Sequence, residues 1–154
     1  METVDIAVIG GGPAGLRSAA VAAGMGRPGT VFEGKPSVGR KFLVAGKGGL
    51  NLTHEGELGE FVSHYQGAGD WRDIIGDFDN RALRAWCHGL GQETFQARTG
   101  RVYPKALRGA HVLRAWRARL REMEVEIRQK CQWQDLLPGD ILRFGNGEEI
   151  RAKA

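Results

Sequence analysis

Gly10-Gly11-Gly12-Pro13-Ala14-Gly15 stands between an apolar run, Val4-Asp5-Ile6-Ala7-Val8-Ile9, and an alanine-rich stretch that closes on Val31-Phe32-Glu33. The chemistry this spacing suits is the holding of an anion by backbone. Gly10 permits a tight turn out of a strand, Gly12 lets a pyrophosphate approach the main chain, and Gly15 lets the next helix pack closely on the sheet. The helix start then presents unpaired N–H groups and the positive end of its dipole, so no charged side chain is needed. Pro13 lacks an N–H and presets a helical φ, which suits the first turn. Glu33 ends the second apolar run with a carboxylate that suits hydrogen bonds from ribose hydroxyls and disfavours a 2′-phosphate. Glycines alone would be weak evidence and fit a turn in another α/β protein. With a strand before them, a helix after them and an acid at the end of the next strand, they form a dinucleotide-binding fingerprint.

The elements that position these residues follow from periodicity. Leu16, Ala19, Ala20 and Ala23 recur at helical spacing and make a small-residue face for a sheet, with Arg17 pointing away. From Gly34 to Thr53 runs a long loop rich in glycine, interleaved with Lys35, Arg40, Lys41 and Lys47. Loops of this length are functional or disordered, and Val38, Phe42, Leu43, Val44, Leu50 and Leu52 give this one something to bury. Glycine allows close approach of a ligand, and the basic residues can pair with phosphate oxygens. Gly46-Lys47 is followed by Gly48 instead of Ser or Thr, which excludes the phosphate loop of nucleoside triphosphatases.

Short helices are expected over 58–65 and 71–75, and a firmer one over 80–90 capped by Asp79 or Asn80, with Leu83, Trp86 and Leu90 on its apolar face. A short strand over 93–96 precedes a basic turn over 98–101. Leu113, Trp116, Leu120 and Met123 give a helix over 110–123 one apolar face and leave its arginines exposed. Those arginines read first as a solvated face, with nucleic-acid contact as the sharper alternative. From Val125 the period changes to alternation, with turns at Pro138-Gly139-Asp140 and Asn146-Gly147, so the chain is expected to end in an antiparallel meander.

The chain has 154 residues, 42% of them hydrophobic, which is enough for a domain with a core. Twenty-two basic against 18 acidic residues leave a net charge of +4, which suits an anionic cofactor or substrate without demanding one. No stretch approaches the roughly 18 apolar residues a membrane span needs, and Glu2 and Asp5 do not suit a signal peptide, so a cytoplasmic location is expected. Cys87 and Cys131 have neither metal-site nor dithiol spacing and read as buried small apolar residues; no metal site is expected. His54 and His111 read as ordinary histidines, and no catalytic acid or base is assigned.

Together with the fingerprint, the segment from Val38 to His54 and the segment Gly100-Arg101-Val102-Tyr103-Pro104 resemble those of the HI0933-like, or BaiN-like, FAD-dependent oxidoreductases, at their amino-terminal part. The stretch Leu113-Arg114-Ala115-Trp116 matches as well, so the resemblance covers nearly the whole chain. It implies FAD as the dinucleotide, NADH or NADPH as reductant, and a two-electron exchange between flavin and an unidentified substrate. By that resemblance Gly10, Gly11, Gly12, Pro13, Ala14, Gly15 and Glu33 hold the ADP half, while Arg40, Lys41, Gly46, Lys47, Gly48 and Asn51 lie along the pyrophosphate and flavin. Many members have Gly-Gly-Gly-Arg-Cys-Asn where this chain has Gly46-Lys47-Gly48-Gly49-Leu50-Asn51, so the Arg and Cys are absent here.

The fold expected is therefore α/β: a Rossmann-like FAD-binding β-α-β unit and glycine-rich loop over 1–53, a mainly helical insertion over 54–123 and a β-meander over 124–154. Such flavoproteins are more than twice this length, so a single, incomplete FAD/NAD(P)-binding domain is expected. Two other readings stay open, an NAD-binding dehydrogenase domain and a non-catalytic nucleotide- or RNA-binding remnant.

Overall fold

The computed structural model describes residues 1–67 and 69–154. In chain order its elements are β1 (Glu2–Val4), β2 (Ala7–Ile9), α1 (Pro13–Gly24), β3 (Thr30–Glu33), α2 (Arg40–Ala45), β4 (Thr53–His54), α3 (Leu58–Ser63), α4 (Trp71–Gly76), α5 (Asn80–Gly89), β5 (Thr94–Gln96), β6 (Arg101–Pro104), α6 (Gly109–Glu122), β7 (Glu126–Gln129), β8 (Trp133–Leu137), β9 (Ile141–Phe144) and β10 (Glu149–Ala152). They fall into two compact units, one of residues 1–42 with 116–154 and one of residues 43–115.

The first unit contains a parallel sheet in the order β2-β3-β7, with Ala7 beside Thr30, and Thr30 beside Glu126. Parallel neighbours need a crossover, and α1 supplies it between β2 and β3. Of the face its spacing predicted, Leu16 and Ala19 are fully buried, whereas Ala20 and Ala23 are half-buried, as is Arg17. The same unit holds a second sheet, β1-β10-β9-β8, in which β8, β9 and β10 form the expected meander and β1 lies parallel to β10. A core of Val4, Phe32, Cys131, Leu142, Phe144, Ile150 and Ala152 packs around the meander and β3. The rings of Phe32 and Phe144 meet at 4.8 Å, each about 1% exposed. Burial of that completeness contributes roughly 1.5–3 kcal/mol per side chain.

Three expectations are corrected here. The apolar run from Val4 to Ile9 is two strands, not one, because the chain changes sheets at Asp5 and Ile6: Val4 pairs with Ala152 and Ala7 with Thr30. Asp5 is exposed and bonded to Lys153 at 2.6 Å, and Ile6 gives its carbonyl to the Thr30 N–H. The segment at Val125–Arg128 is not the first strand of the meander. As β7 it is the third strand of the parallel sheet, reached from α6 by a turn in which Glu124 has φ of 60°. Parallel strands covered on both faces read as continuous apolar runs, but β7 lies at the sheet edge, and that is why its sequence alternates. Finally, the glycine-rich segment 34–53 is not all loop. It contains α2, whose Phe42 ring meets Trp116 edge-on at 6.3 Å, and it ends on β4.

The second unit is built on an antiparallel sheet, β4-β6-β5, with α5 against it. Val102 and Pro104 of β6, Cys87 of α5, Leu50 and Val112 are buried. The basic turn expected over 98–101 runs into β6 at Arg101, a strand not anticipated from the sequence. Asp79 caps α5 by accepting from the Ala82 N–H at 2.7 Å. Asn80, 3% exposed, donates from Nδ2 to the carbonyls of His54 and Gly56 at 2.9 and 3.0 Å, which ties β4 to the helix start. Trp86, expected in the core, is only half-buried; Cys87 and Asn80 are the buried residues of that helix.

Candidate functional site

At the carboxyl ends of β2 and β3 the chain makes the turn that the glycines predicted. Gly10 adopts φ of 102°, a region glycine enters without a Cβ clash, and donates its N–H to the Phe32 carbonyl at 2.8 Å. Gly12 is the N-cap of α1 in extended conformation, and the first helical bond runs from the Leu16 N–H to its carbonyl at 2.9 Å. Pro13 opens the helix, no side chain caps it, and no acidic residue lies in its first turn. The N–H groups of Ala14 and Gly15 consequently have no intrahelical acceptor and, with the helix dipole, make a helix start whose chemistry suits an anion.

The three fingerprint glycines differ in what a side chain would meet. A Cβ on Gly10 or Gly12 would meet nothing within 4 Å, so the space over Gly12 is open to a ligand. A Cβ on Gly15 would lie 1.9 Å from the Gly10 carbonyl oxygen, so α1 crosses the strand end at a distance only glycine allows.

Glu33 lies where the fingerprint places it and is already engaged with backbone. Its Oε2 accepts from the Gly11 N–H at 2.8 Å and its Oε1 from the Lys35 N–H at 2.7 Å. A carboxylate has about four lone-pair sites, so both oxygens can still accept from ribose hydroxyls. The carboxylate is thus held in place by the turn it serves. Gly11 in turn gives its carbonyl to the Gly39 N–H at 2.8 Å, and Val38, 1% exposed, packs beside it. Val38 and Gly39 were not among the predicted site residues; the signal available for them was an apolar residue set inside a glycine-rich, basic segment.

Arg40 and Lys41 are exposed at the start of α2, in the first unit with the turn. Gly46, Lys47, Gly48 and Asn51 belong to the second unit. There Lys47 is exposed, Gly46 is buried, and Asn51 lines a cleft of about 360 Å³ with Thr53, His54, Phe61, Tyr65 and Asn80. His54 is a structural residue: its Nδ1 lies 2.7 Å from the Glu55 carbonyl and its Nε2 2.8 Å from that of Thr99. Its ring rests on Gly100, where a Cβ would come within 2.3 Å of it.

Burial pushes the Cys87 thiol up to about 11 and raises that of Cys131 too, in keeping with buried apolar roles for both. Among the described residues no group of His, Cys, Asp and Glu is arranged to hold a metal ion, and no helix is long and apolar enough to cross a membrane.

Residues 4–152 match the HI0933-like protein Rossmann domain. The chain belongs to that family. A curated relative of this HI0933-like chain, the 3-dehydro-bile acid delta(4,6)-reductase of Clostridium scindens, is 32% identical over 124 residues. That match takes in 79% of this chain but 30% of the relative, so the chain spans about a third of the protein it matches. Among solved structures, the 3-ketosteroid-delta4-(5alpha)-dehydrogenase of Rhodococcus jostii, in complex with 4-androstene-3,17-dione, superposes with a TM-score of 0.67 at 17% identity, over 99% of this chain and 44% of that one. The FrdA chain of E. coli quinol fumarate reductase gives 0.68 at 20% identity, over 100% and 32%. At those identities the likeness is one of fold, and it agrees with the Rossmann-like α/β architecture described above.

Proposed function

We propose that this chain is the FAD-binding part of a flavin-dependent, NAD(P)H-linked oxidoreductase that exchanges two electrons with a substrate yet to be identified, a small molecule or an RNA base. The observation that carries the reading is the uncapped start of α1, open above Gly12 and flanked by the backbone-anchored carboxylate of Glu33. The residues present fit the ADP half of such a cofactor. The Ala14 and Gly15 N–H groups would receive the pyrophosphate, Gly12 would leave room for it, and Glu33 would accept from the ribose hydroxyls. The fixed negative charge of Glu33 opposes a 2′-phosphate, which favours FAD over NADP at this turn. Arg40 and Lys41 add positive charge on the following helix. FAD, when bound, supplies the two-electron redox chemistry, and the protein supplies orientation and electrostatics.

The test is a titration of FAD, followed by flavin fluorescence, into the wild-type chain and into Gly12→Val and Glu33→Ala. Both variants should lose at least tenfold in affinity. Wild-type affinity in both would remove the turn from the binding site.

A further inference from the structure

We infer that Val38 is a positioning residue for the phosphate-binding turn, acting through Gly11, the one glycine of the turn that the fingerprint leaves unspecified. The inference rests on the dinucleotide reading above and adds the device that sets the height of the turn.

Three contacts converge on the Gly11 peptide. Its N–H donates to Glu33 Oε2 at 2.8 Å, its carbonyl accepts from the Gly39 N–H at 2.8 Å, and Val38 closes the side where a Cβ would project. A Cβ built on Gly11 would lie 2.4 Å from Val38 Cγ1, 3.0 Å from Val38 Cβ and 3.0 Å from Glu33 Oε2. The first distance is far inside van der Waals contact. The valine cannot yield easily: it is branched at Cβ, restricted in χ1 and 1% exposed, with Gly39 behind it held at φ of 68°. Gly11 is itself buried, whereas its neighbours Gly10 and Gly12 would have free space for a methyl.

Gly11 therefore faces the protein and Gly12 faces the ligand. The segment entering α2 pushes on the turn from behind through Val38, while two hydrogen bonds keep the turn from moving away. Any displacement of Gly11 carries Gly12 and the first N–H groups of α1 with it. Because one carboxylate oxygen of Glu33 is part of the clamp, the phosphate and ribose contacts are set by the same packing.

The experiment is a size swap read in two independent ways on the full chain. ADP affinity is measured by calorimetry for wild type, Gly11→Ala, Val38→Ala and the double variant. The amide resonances of Gly10, Gly12 and Gly15 are followed by ¹⁵N-resolved NMR in the same proteins without ligand. Gly11→Ala should shift those resonances and lower ADP affinity at least tenfold. The double variant, in which the new methyl fills the space the valine gives up, should return the resonances toward wild type and the affinity to within threefold of Val38→Ala. Val38→Ile, which lengthens the same contact with Gly11 intact, should lower affinity at least threefold and covers the case in which Gly11→Ala fails to fold. Wild-type shifts and affinity in both Gly11→Ala and Val38→Ile, or a double variant no better than Gly11→Ala, would overturn the inference. A wild-type chain that binds neither ADP nor FAD, yet shows the shift and its rescue, would overturn the dinucleotide reading and leave the packing relationship standing.

Discussion

The carbonyl oxygen of Gly10 occupies the place where Gly15 would carry a side chain, 1.9 Å from its Cβ position. Helix and strand therefore meet at the main chain, and the amino-terminal end of α1 is fixed by a contact that no alanine can replace.

Gly15→Ala should consequently lower stability by about 1–3 kcal/mol, toward the upper end because backbone must move to relieve the overlap. Gly12→Ala places its methyl in open space and at an N-cap, where the cost should stay below about 1 kcal/mol. Thermal unfolding separates the two: Gly15→Ala melts well below wild type, while Gly12→Ala melts near it and loses dinucleotide affinity instead.

The structural role of Glu33 should show in stability, apart from the ribose contact proposed for it. Glu33→Ala leaves the buried Gly11 N–H without its acceptor, at a cost of about 1–3 kcal/mol, whereas the exposed Lys35 N–H turns to water. Glu33→Gln keeps one acceptor oxygen and turns an NH₂ toward the other backbone donor, so it should fall between wild type and alanine. Denaturant titrations of the three proteins should show that order.

Arg128 of β7 reaches β1 and provides a dependence on pH. Its guanidinium donates from Nη1 to Glu2 at 2.7 Å and from Nε to Glu126 at 2.9 Å, and it lies 5.6 Å from the centre of the Phe32 ring. The hydrogen bond from Arg128 holds the Glu2 carboxyl below its ordinary value of 4.5. A depressed carboxyl stabilises the fold above the unfolded value and loses that effect as pH falls through the folded one. The difference in urea midpoint between wild type and Arg128→Met should therefore be full at pH 7 and shrink below pH 4.5. A difference that stays constant into acid would show that packing on Phe32, not charge, is what Arg128 supplies.

The site was legible where residue type and local geometry coincide. The glycine turn, the helix and Glu33 could be read because Gly10 and Gly15 answer local requirements, a positive φ and the close crossing of helix and strand end. The helices at α5 and α6 followed from periodicity for the same reason. What was hidden depended on distant partners. Val38 looks like any apolar loop residue until the fold brings it behind Gly11. The change of sheet at Asp5 and Ile6 is marked only by the acid at Asp5, because Val4 and Ala7 suit strands in either sheet. The segment at β7 alternates as a hairpin strand would, and only its pairing with Thr30–Glu33 reveals a parallel edge. Arg40 and Lys41 lie in one unit and Gly46, Lys47, Gly48 and Asn51 in the other, a division that the continuous basic, glycine-rich segment does not disclose.

The central claim is that the turn from Gly10 to Gly15, with Glu33, binds the ADP half of FAD. It is tested most directly by equilibrium dialysis of the purified chain against FAD, with ADP and NADP⁺ as competitors. Saturable binding of one FAD per chain, displaced by ADP and far less well by NADP⁺, is the predicted result. No saturable FAD binding, or displacement by NADP⁺ as readily as by ADP, would contradict it.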